Sequence, residues 1–277
     1  MNKRILFGLA VSLVACGGGA PPPAAPADST AKSSAPTPKQ GVEVPASIKA
    51  IVDAPDRDEA DKKLDAGRKP GETLAFFGVK PGMKVAEIGS STGYTSELLA
   101  RAVGESGTVY GINNAWVMEK FAKEPWTARL KKPVMKNTVG VVREIDDPLP
   151  PEAKDLDAVF VVLLYHDFFW LAGKGADGKV DRAKMNAAVF AALKPGGVYA
   201  VIDHSGRPGT GSTEVKTIHR IEEKVVREEI EKAGFKLAAD ADFLRNPQDP
   251  RDWNTAPFAA AEKRGTSDRF VLKYVKP

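Results

Sequence analysis

The chain has 277 residues, 43% hydrophobic and 27% charged, which allows a folded domain with a sizeable core. Its 40 basic and 36 acidic residues leave a formal charge of +4, too small an excess for the basic footprint of a nucleic-acid binder. One cysteine excludes an intrachain disulfide and a thiolate zinc cluster, and only three histidines, His166, His204 and His219, are available to an imidazole site.

Asn2-Lys3-Arg4 is a basic start, and the apolar run from Ile5 to Ala15 is too short to span a bilayer. The run ends in Leu13-Val14-Ala15-Cys16, which resembles the bacterial lipobox, where cleavage precedes an acylated cysteine. The expectation is a signal peptide over 1–15 and a lipid anchor on Cys16. That makes the chain a cell-envelope lipoprotein facing the periplasm, with Gly17 in place of an aspartate favouring the outer membrane. Residues 16–45 are rich in Pro, Gly and Ala, cannot bury a core, and read as an extended tether. Residues 46–277 remain as the folded domain.

Pro45 opens a helical stretch. Asp56 is placed to cap a helix running to Gly67, and Pro70 to start another, with Leu74 and Phe77 on one side. Alternation follows. Met83–Ile88 reads as a strand, Tyr94–Val103 as a helix, and Gly107–Ile112 and Thr138–Val142 as strands. Leu156 to Leu164 is nearly continuous in apolar residues, as suits a central parallel strand buried on both faces. Arg182–Leu193 reads as a helix and Gly197–Asp203 as a strand. Glu214–Ala233 reads as one long amphipathic helix with Val215, Ile218, Ile221, Val225 and Ile230 on its stripe. Phe235–Phe243 and Arg269–Val275 complete the strands, and the polar stretch Leu244 to Asp268 between them reads as a lid. The alternation implies an α/β Rossmann-like three-layer sandwich around a mostly parallel sheet, with the first helices as an N-terminal cap. Ligands of such sheets sit outside the carboxyl ends of the strands, so the residues just after each strand carry the functional question.

After the first strand comes Glu87-Ile88-Gly89-Ser90-Ser91-Thr92-Gly93-Tyr94-Thr95, whose glycines admit close backbone approach at a helix N-terminus. Val79-Lys80-Pro81-Gly82-Met83-Lys84-Val85 precedes it, and Leu193-Lys194-Pro195-Gly196-Gly197 lies before the fifth strand. Together these motifs resemble the class I S-adenosylmethionine-dependent methyltransferases, and the stretches Glu72-Thr73-Leu74-Ala75-Phe76-Phe77-Gly78, Asp203-His204-Ser205 and His219-Arg220-Ile221 resemble those of exported members more closely. The resemblance covers Pro70 to the C-terminus. It implies a seven-strand sheet with an antiparallel last strand, S-adenosyl-L-methionine as cofactor, and methyl transfer to a small-molecule acceptor.

Carried over residue by residue, the resemblance assigns Glu87, Gly89, Ser91 and Gly93 to the methionine part and ribose of the cofactor. It assigns Asp146 or Asp147 to the adenine amine. The acid that ends strand two in the family and holds the ribose hydroxyls is absent, and Asn113, whose amide can still hydrogen-bond a hydroxyl, stands in its place as the cofactor contact. His166-Asp167 follows strand four and Asp203-His204 follows strand five, so adjacent strand ends bring the four together. A neutral imidazole there suits a general base, with His166, His204 and Asp203 as the catalytic candidates. The alternatives are a divalent metal held by Asp167, Asp203 and an imidazole such as His204, or histidines that only cap strand ends. His219 reads as a satisfied boundary residue beside the helical stripe, and Phe168-Phe169-Trp170 as pocket lining or packing in equal measure.

Two other function classes stay open on the sequence. Gly89-Ser90-Ser91-Thr92-Gly93 fits the G-x-S-x-G elbow of a serine hydrolase, with Asp203 and His204 or His219 following in order. The fold can also serve as a ligand-binding domain without chemistry.

Overall fold

The computed structural model describes residues 41–171 and 180–277. The signal peptide, Cys16 and the tether as far as residue 40 lie outside the described residues. Packing begins slightly before residue 46, because Val44 lies against Gly71 of the first helical layer. Among the described residues, no helix is long and apolar enough to cross a membrane.

Three helices come first, α1 (Ala46–Val52), α2 (Glu59–Arg68) and α3 (Pro70–Phe77). α2 starts after Asp58 rather than Asp56, whose carboxylate is held by Arg101 at 2.8 Å. Pro70 sits in the first turn of α3, where no N–H is needed. The alternating part then runs β1 (Lys84–Ile88), α4 (Tyr94–Val103), β2 (Thr108–Asn113), α5 (Ala115–Val117), a π-helical turn over Met118–Ala122, α6 (Lys123–Leu130) and β3 (Thr138–Val142). It continues with β4 (Leu156–Val162), α7 (Arg182–Ala192), β5 (Leu193–His204), α8 (Val215–Ile218), α9 (Glu223–Lys232), β6 (Lys236–Ala241) and β7 (Arg269–Val275).

The strands form one seven-stranded sheet in the order β3-β2-β1-β4-β5-β7-β6. β1 to β5 are parallel, and β7 runs antiparallel between β5 and β6, as the resemblance implies. Strand alternation sends Val85, Val109, Phe160, Ile202 and Val271 to a core under α1, α3 and α4. Ala86, Ile112, Val161, Tyr199 and Leu272 face a second core under α7 and α9. The sheet is therefore the middle of three layers, and its C-terminal edge collects the loops after β1, β2, β4, β5 and β6.

Two segments depart from the sequence reading. The connection between β2 and β3 holds α5 and α6, which carry no clean apolar stripe. The stretch Glu214–Ala233 is not one helix: α8 stops at Ile218, His219 takes a left-handed φ of 53°, and Ile221 pairs with Ser205 before α9 begins. Arg220 explains the break. Its side chain is 0% exposed, pairs with Asp249 at 2.9 Å, and donates to the carbonyls of Ser205 at 3.0 Å and Trp253 at 3.1 Å. A buried guanidinium must have its donors met, and these partners lie far away in the chain, so helix continuity yields.

Candidate active site

The loop after β1 is built from close contacts. Gly89 has φ 80°, and a Cβ there would lie 1.9 Å from Leu164 Cδ2, so glycine lets the β4 end close over the loop. Gly93 has φ 89°, and a Cβ there would lie 2.5 Å from the Trp126 ring of α6. The N–H groups of Gly89 and Ser90 donate to the Ile112 carbonyl at 2.8 and 2.9 Å, tying the loop to β2. Asn113 completes the tie: its Oδ1 accepts from the Ser91 N–H at 2.7 Å, and its Nδ2 donates to the Ser91 carbonyl at 3.1 Å. The expected ribose partner is thus a buried clamp on the loop, with both ends of its amide engaged. Glu87 also turns inward. It is buried, accepts from Ser96 Oγ, and braces the start of α4. Burial pushes its carboxyl up, against the hydroxyls of Ser96, Thr95 and Ser90. Ser91 and Thr92 are the exposed face of the loop. Asp146 lies half-buried beyond β3 with Lys184 Nζ 3.5 Å away, while Asp147 is paired with Arg143.

All three histidines converge after β4 and β5. The Asp203 side chain is 0% exposed and accepts three bonds, from the His166 N–H at 2.7 Å, the His204 N–H at 2.7 Å and His166 Nδ1 at 2.7 Å. His166 Nε2 lies 3.0 Å from Asp167 Oδ1, and His219 Nδ1 lies 3.1 Å from the same oxygen and 3.3 Å from His166 Nε2. Trp170 Nε1 donates to that oxygen as well. Burial alone would push the His166 imidazolium down, but Asp167 and Asp203 on its two sides hold it up to about 10. Burial would raise Asp167, yet His166, His219 and Trp170 hold it below the usual carboxylate range. His204 behaves oppositely: burial, then the charges of His166, Arg269 and Arg220, push it well below the ordinary histidine value. Its Nδ1 lies 2.8 Å from Ser267 Oγ. The two carboxylates thus draw His166 toward its protonated form, whereas burial and neighbouring cations draw His204 toward its neutral form. His219, read from the sequence as a boundary residue, belongs to the cluster. No local signal marks it, because the apolar stripe continues past the break.

Aromatic side chains wall the same edge. Trp116, after β2, meets Phe121 at 5.1 Å and Trp170 at 6.2 Å between ring centroids, and Trp170 meets His219 at 5.4 Å. Phe168 is fully buried packing, so only part of Phe168-Phe169-Trp170 faces the site. The segment from Leu244 to Asp268 is stitched to the β5 end through Asp249 and Trp253. Its exposed Phe258 stacks on Phe121 at 6.4 Å, reaching across the edge. An apolar pocket, unanticipated from sequence, lies under α3 and reaches Tyr94 and Thr95 at the start of α4. It is lined by Leu74, Leu98, Val162 and Ile202 and rimmed by Arg68 and Arg269.

The hydrolase constellation is not assembled. The Asp203 carboxylate orients His166 rather than His204, the His204 ring nitrogen faces Ser267, and Ser91 is bound through its backbone to Asn113. Among the described residues no strand precedes β1, whereas the hydrolase elbow follows several.

Residues 44–140 match the family model for protein-L-isoaspartate(D-aspartate) O-methyltransferase. No curated protein matches the sequence. Among solved structures, a SAM-dependent methyltransferase from Aquifex aeolicus is 21% identical, with 79% of this chain and 97% of that chain covered at a TM-score of 0.54. A geranyl diphosphate methyltransferase in complex with SAM is 12% identical over 83% of this chain and 95% of its own, with a TM-score of 0.53. The cyclase SpnF is 16% identical over 86% of this chain and 99% of its own, with a TM-score of 0.54. The fold is the Rossmann-like one shared with these S-adenosylmethionine-dependent methyltransferases. The family match ends at residue 140, before the histidine cluster, so it carries no acceptor with it.

Proposed function

On this class I methyltransferase fold, we propose that the chain directs methyl transfer from S-adenosylmethionine to the hydroxyl or amine of a small-molecule acceptor. The observation that carries the reading is the pairing of a glycine loop after β1 with two imidazoles, His166 and His204, gathered around Asp203 at the ends of β4 and β5. The cofactor supplies an activated methyl group on a sulfonium. The exposed Ser91–Thr92 face would meet its methionine and ribose, and Asp146 its adenine amine. Glu87 and Asn113 act at one remove, by fixing the loop. His204 takes the acceptor proton, and Ser267 Oγ sets the ring's orientation. The Trp116–Trp170 pair and the Phe258–Phe121 stack line the same edge with aromatic surface, which suits a small acceptor. We further propose that Cys16 carries a lipid anchor that places the domain at the envelope, on the strength of the lipobox and the tether composition.

A second reading, a binding domain without methyl transfer, is favoured by one observation: the β2 end offers Asn113 with its amide already engaged, and no acid for a ribose. The two readings separate in a transfer assay with methyl-labelled S-adenosylmethionine and a panel of phenols, hydroxy acids and amines. Methyl transfer predicts turnover that falls about 100-fold or more in His204→Gln, with binding of the demethylated cofactor retained. Cofactor binding without transfer to any acceptor favours the second reading.

A further inference from the structure

We propose that His166, Asp167 and His219 form a binding site for one divalent transition-metal ion of the zinc or iron(II) type. Nε2 of His166, Oδ1 of Asp167 and Nδ1 of His219 make a triangle with edges of 3.0, 3.1 and 3.3 Å. An ion about 2.1 Å from each atom would lie above that triangle with ligand–metal–ligand angles of about 90–105°. Such angles fall between octahedral and tetrahedral, and two imidazoles with one carboxylate on one face are a donor set these ions accept.

Hydrogen bonding explains the triangle less well. Asp167 Oδ1 already accepts from Trp170 Nε1. Two imidazole N–H groups aimed at the same oxygen, from nitrogens 3.3 Å apart, would crowd each other. A single cation replaces both protons.

Each ligand is also held by a device of its own. Asp203, fully buried and fixed by two backbone N–H groups, accepts a hydrogen bond from His166 Nδ1–H and so turns Nε2 toward the triangle. A carboxylate behind a ligating histidine is the common second support of metal sites. Trp170 orients Asp167. The break at Arg220 delivers His219, whose carbonyl is held by Thr255 Oγ1 at 2.7 Å. Asp167 and His219 side chains each keep 19% exposure, so the side of the triangle away from the core reaches solvent and leaves coordination positions for an acceptor oxygen. Among the described residues, the other cluster of possible ligands, Asp58, Asp61 and Glu97, is already paired with Arg101, Arg129 and Lys132 and needs no ion.

The role of the ion in orienting an acceptor rests on the proposed methyl transfer; the site itself does not. The test is therefore made without cofactor. Tag-free protein is stripped with chelator and titrated with Zn2+ by calorimetry, and with Co2+ by visible absorption. The expected result is one ion per chain, proton release on binding, and affinity about 100-fold weaker in His219→Ala and Asp167→Asn. Asp203→Asn should weaken it about 10-fold or more, while Glu97→Gln leaves it unchanged. Circular dichroism and thermal melts confirm that each variant is folded, and His219→Gln replaces His219→Ala if the latter is not. Absence of binding by folded wild-type protein at millimolar Zn2+ overturns the proposal, as does binding that His219 and Asp167 variants leave intact. Zinc binding without cofactor binding would refute the methyl-transfer reading and leave the metal site standing.

Discussion

Replacing Arg220 with Met tests the explanation of the broken helix. The substitution keeps an unbranched apolar stem and removes the guanidinium. It deletes the 2.9 Å pair with Asp249 and the bonds to the Ser205 and Trp253 carbonyls. Removing one partner of a buried pair costs roughly 3–5 kcal/mol, because the other charge stays buried. The lower end applies here. Asp249 retains the N–H groups of Asp268 at 2.6 Å and Arg251 at 3.0 Å, and Trp253 Nε1 at 2.7 Å. The expected loss is therefore about 3 kcal/mol, read from urea unfolding at pH 7. Arg220→Met with Asp249→Asn should lose less than the two single losses added, since no charge is then left unpaired. A loss for Arg220→Met below about 1 kcal/mol would refute the argument that this guanidinium, rather than local propensity, sets the break.

Other perturbations bear on the loop, the cap and the anchor. Gly89→Ala should destabilise by about 1–2 kcal/mol from the left-handed φ alone, with a further loss from the Leu164 clash. Adding Leu164→Ala should recover the clash portion only, as thermal unfolding of Gly89→Ala, Leu164→Ala and the double variant would show. Glu97 is pushed up by burial but held lower still by Lys132, Arg101 and Arg129, so its folded value lies below the ordinary 4.5. Its contribution is complete above that ordinary value and is lost as pH falls through the folded one. The stability gap between wild type and Glu97→Gln should stay constant from pH 8 to about 5 and narrow in more acid buffer. A gap that widens in acid would reverse the sign. Wild-type protein should fractionate with membranes and Cys16→Ser should not; soluble wild type that retains Met1 would remove the anchor.

What the sequence discloses follows from how local each cause is. β3, β7 and α4 are read to the residue, because alternation and turn chemistry act within a few positions. The convergence of His166, Asp167, Asp203 and His204 is legible from strand order, since adjacent parallel strands must bring their ends together. The roles are not legible. Asn113 and Glu87 end their strands where a ligand contact is expected, yet the loop partners Ser91 and Ser96 claim their polar atoms. His166 reads from the sequence as a neutral base, and the two carboxylates that lie against it, one from its own turn and one from β5, are placed only by the fold. His219 is hidden because the signal that breaks its helix lies in Asp249 and Trp253. α5 and α6 escape notice because Trp126 and Arg129 are chosen to fit Gly93 and Gly111 across the loop, not to form a stripe.

The central claim is that the edge built around the β1 loop receives S-adenosylmethionine. Calorimetric titration of the full chain with S-adenosylmethionine and with its demethylated product tests it without knowledge of the acceptor. The account predicts saturable binding of one ligand per chain, weakened about 5-fold or more in Asn113→Ala because the clamp on Ser91 is worth about 1 kcal/mol or more. Heats no different from dilution at millimolar ligand, with protein that is folded by circular dichroism, would contradict it.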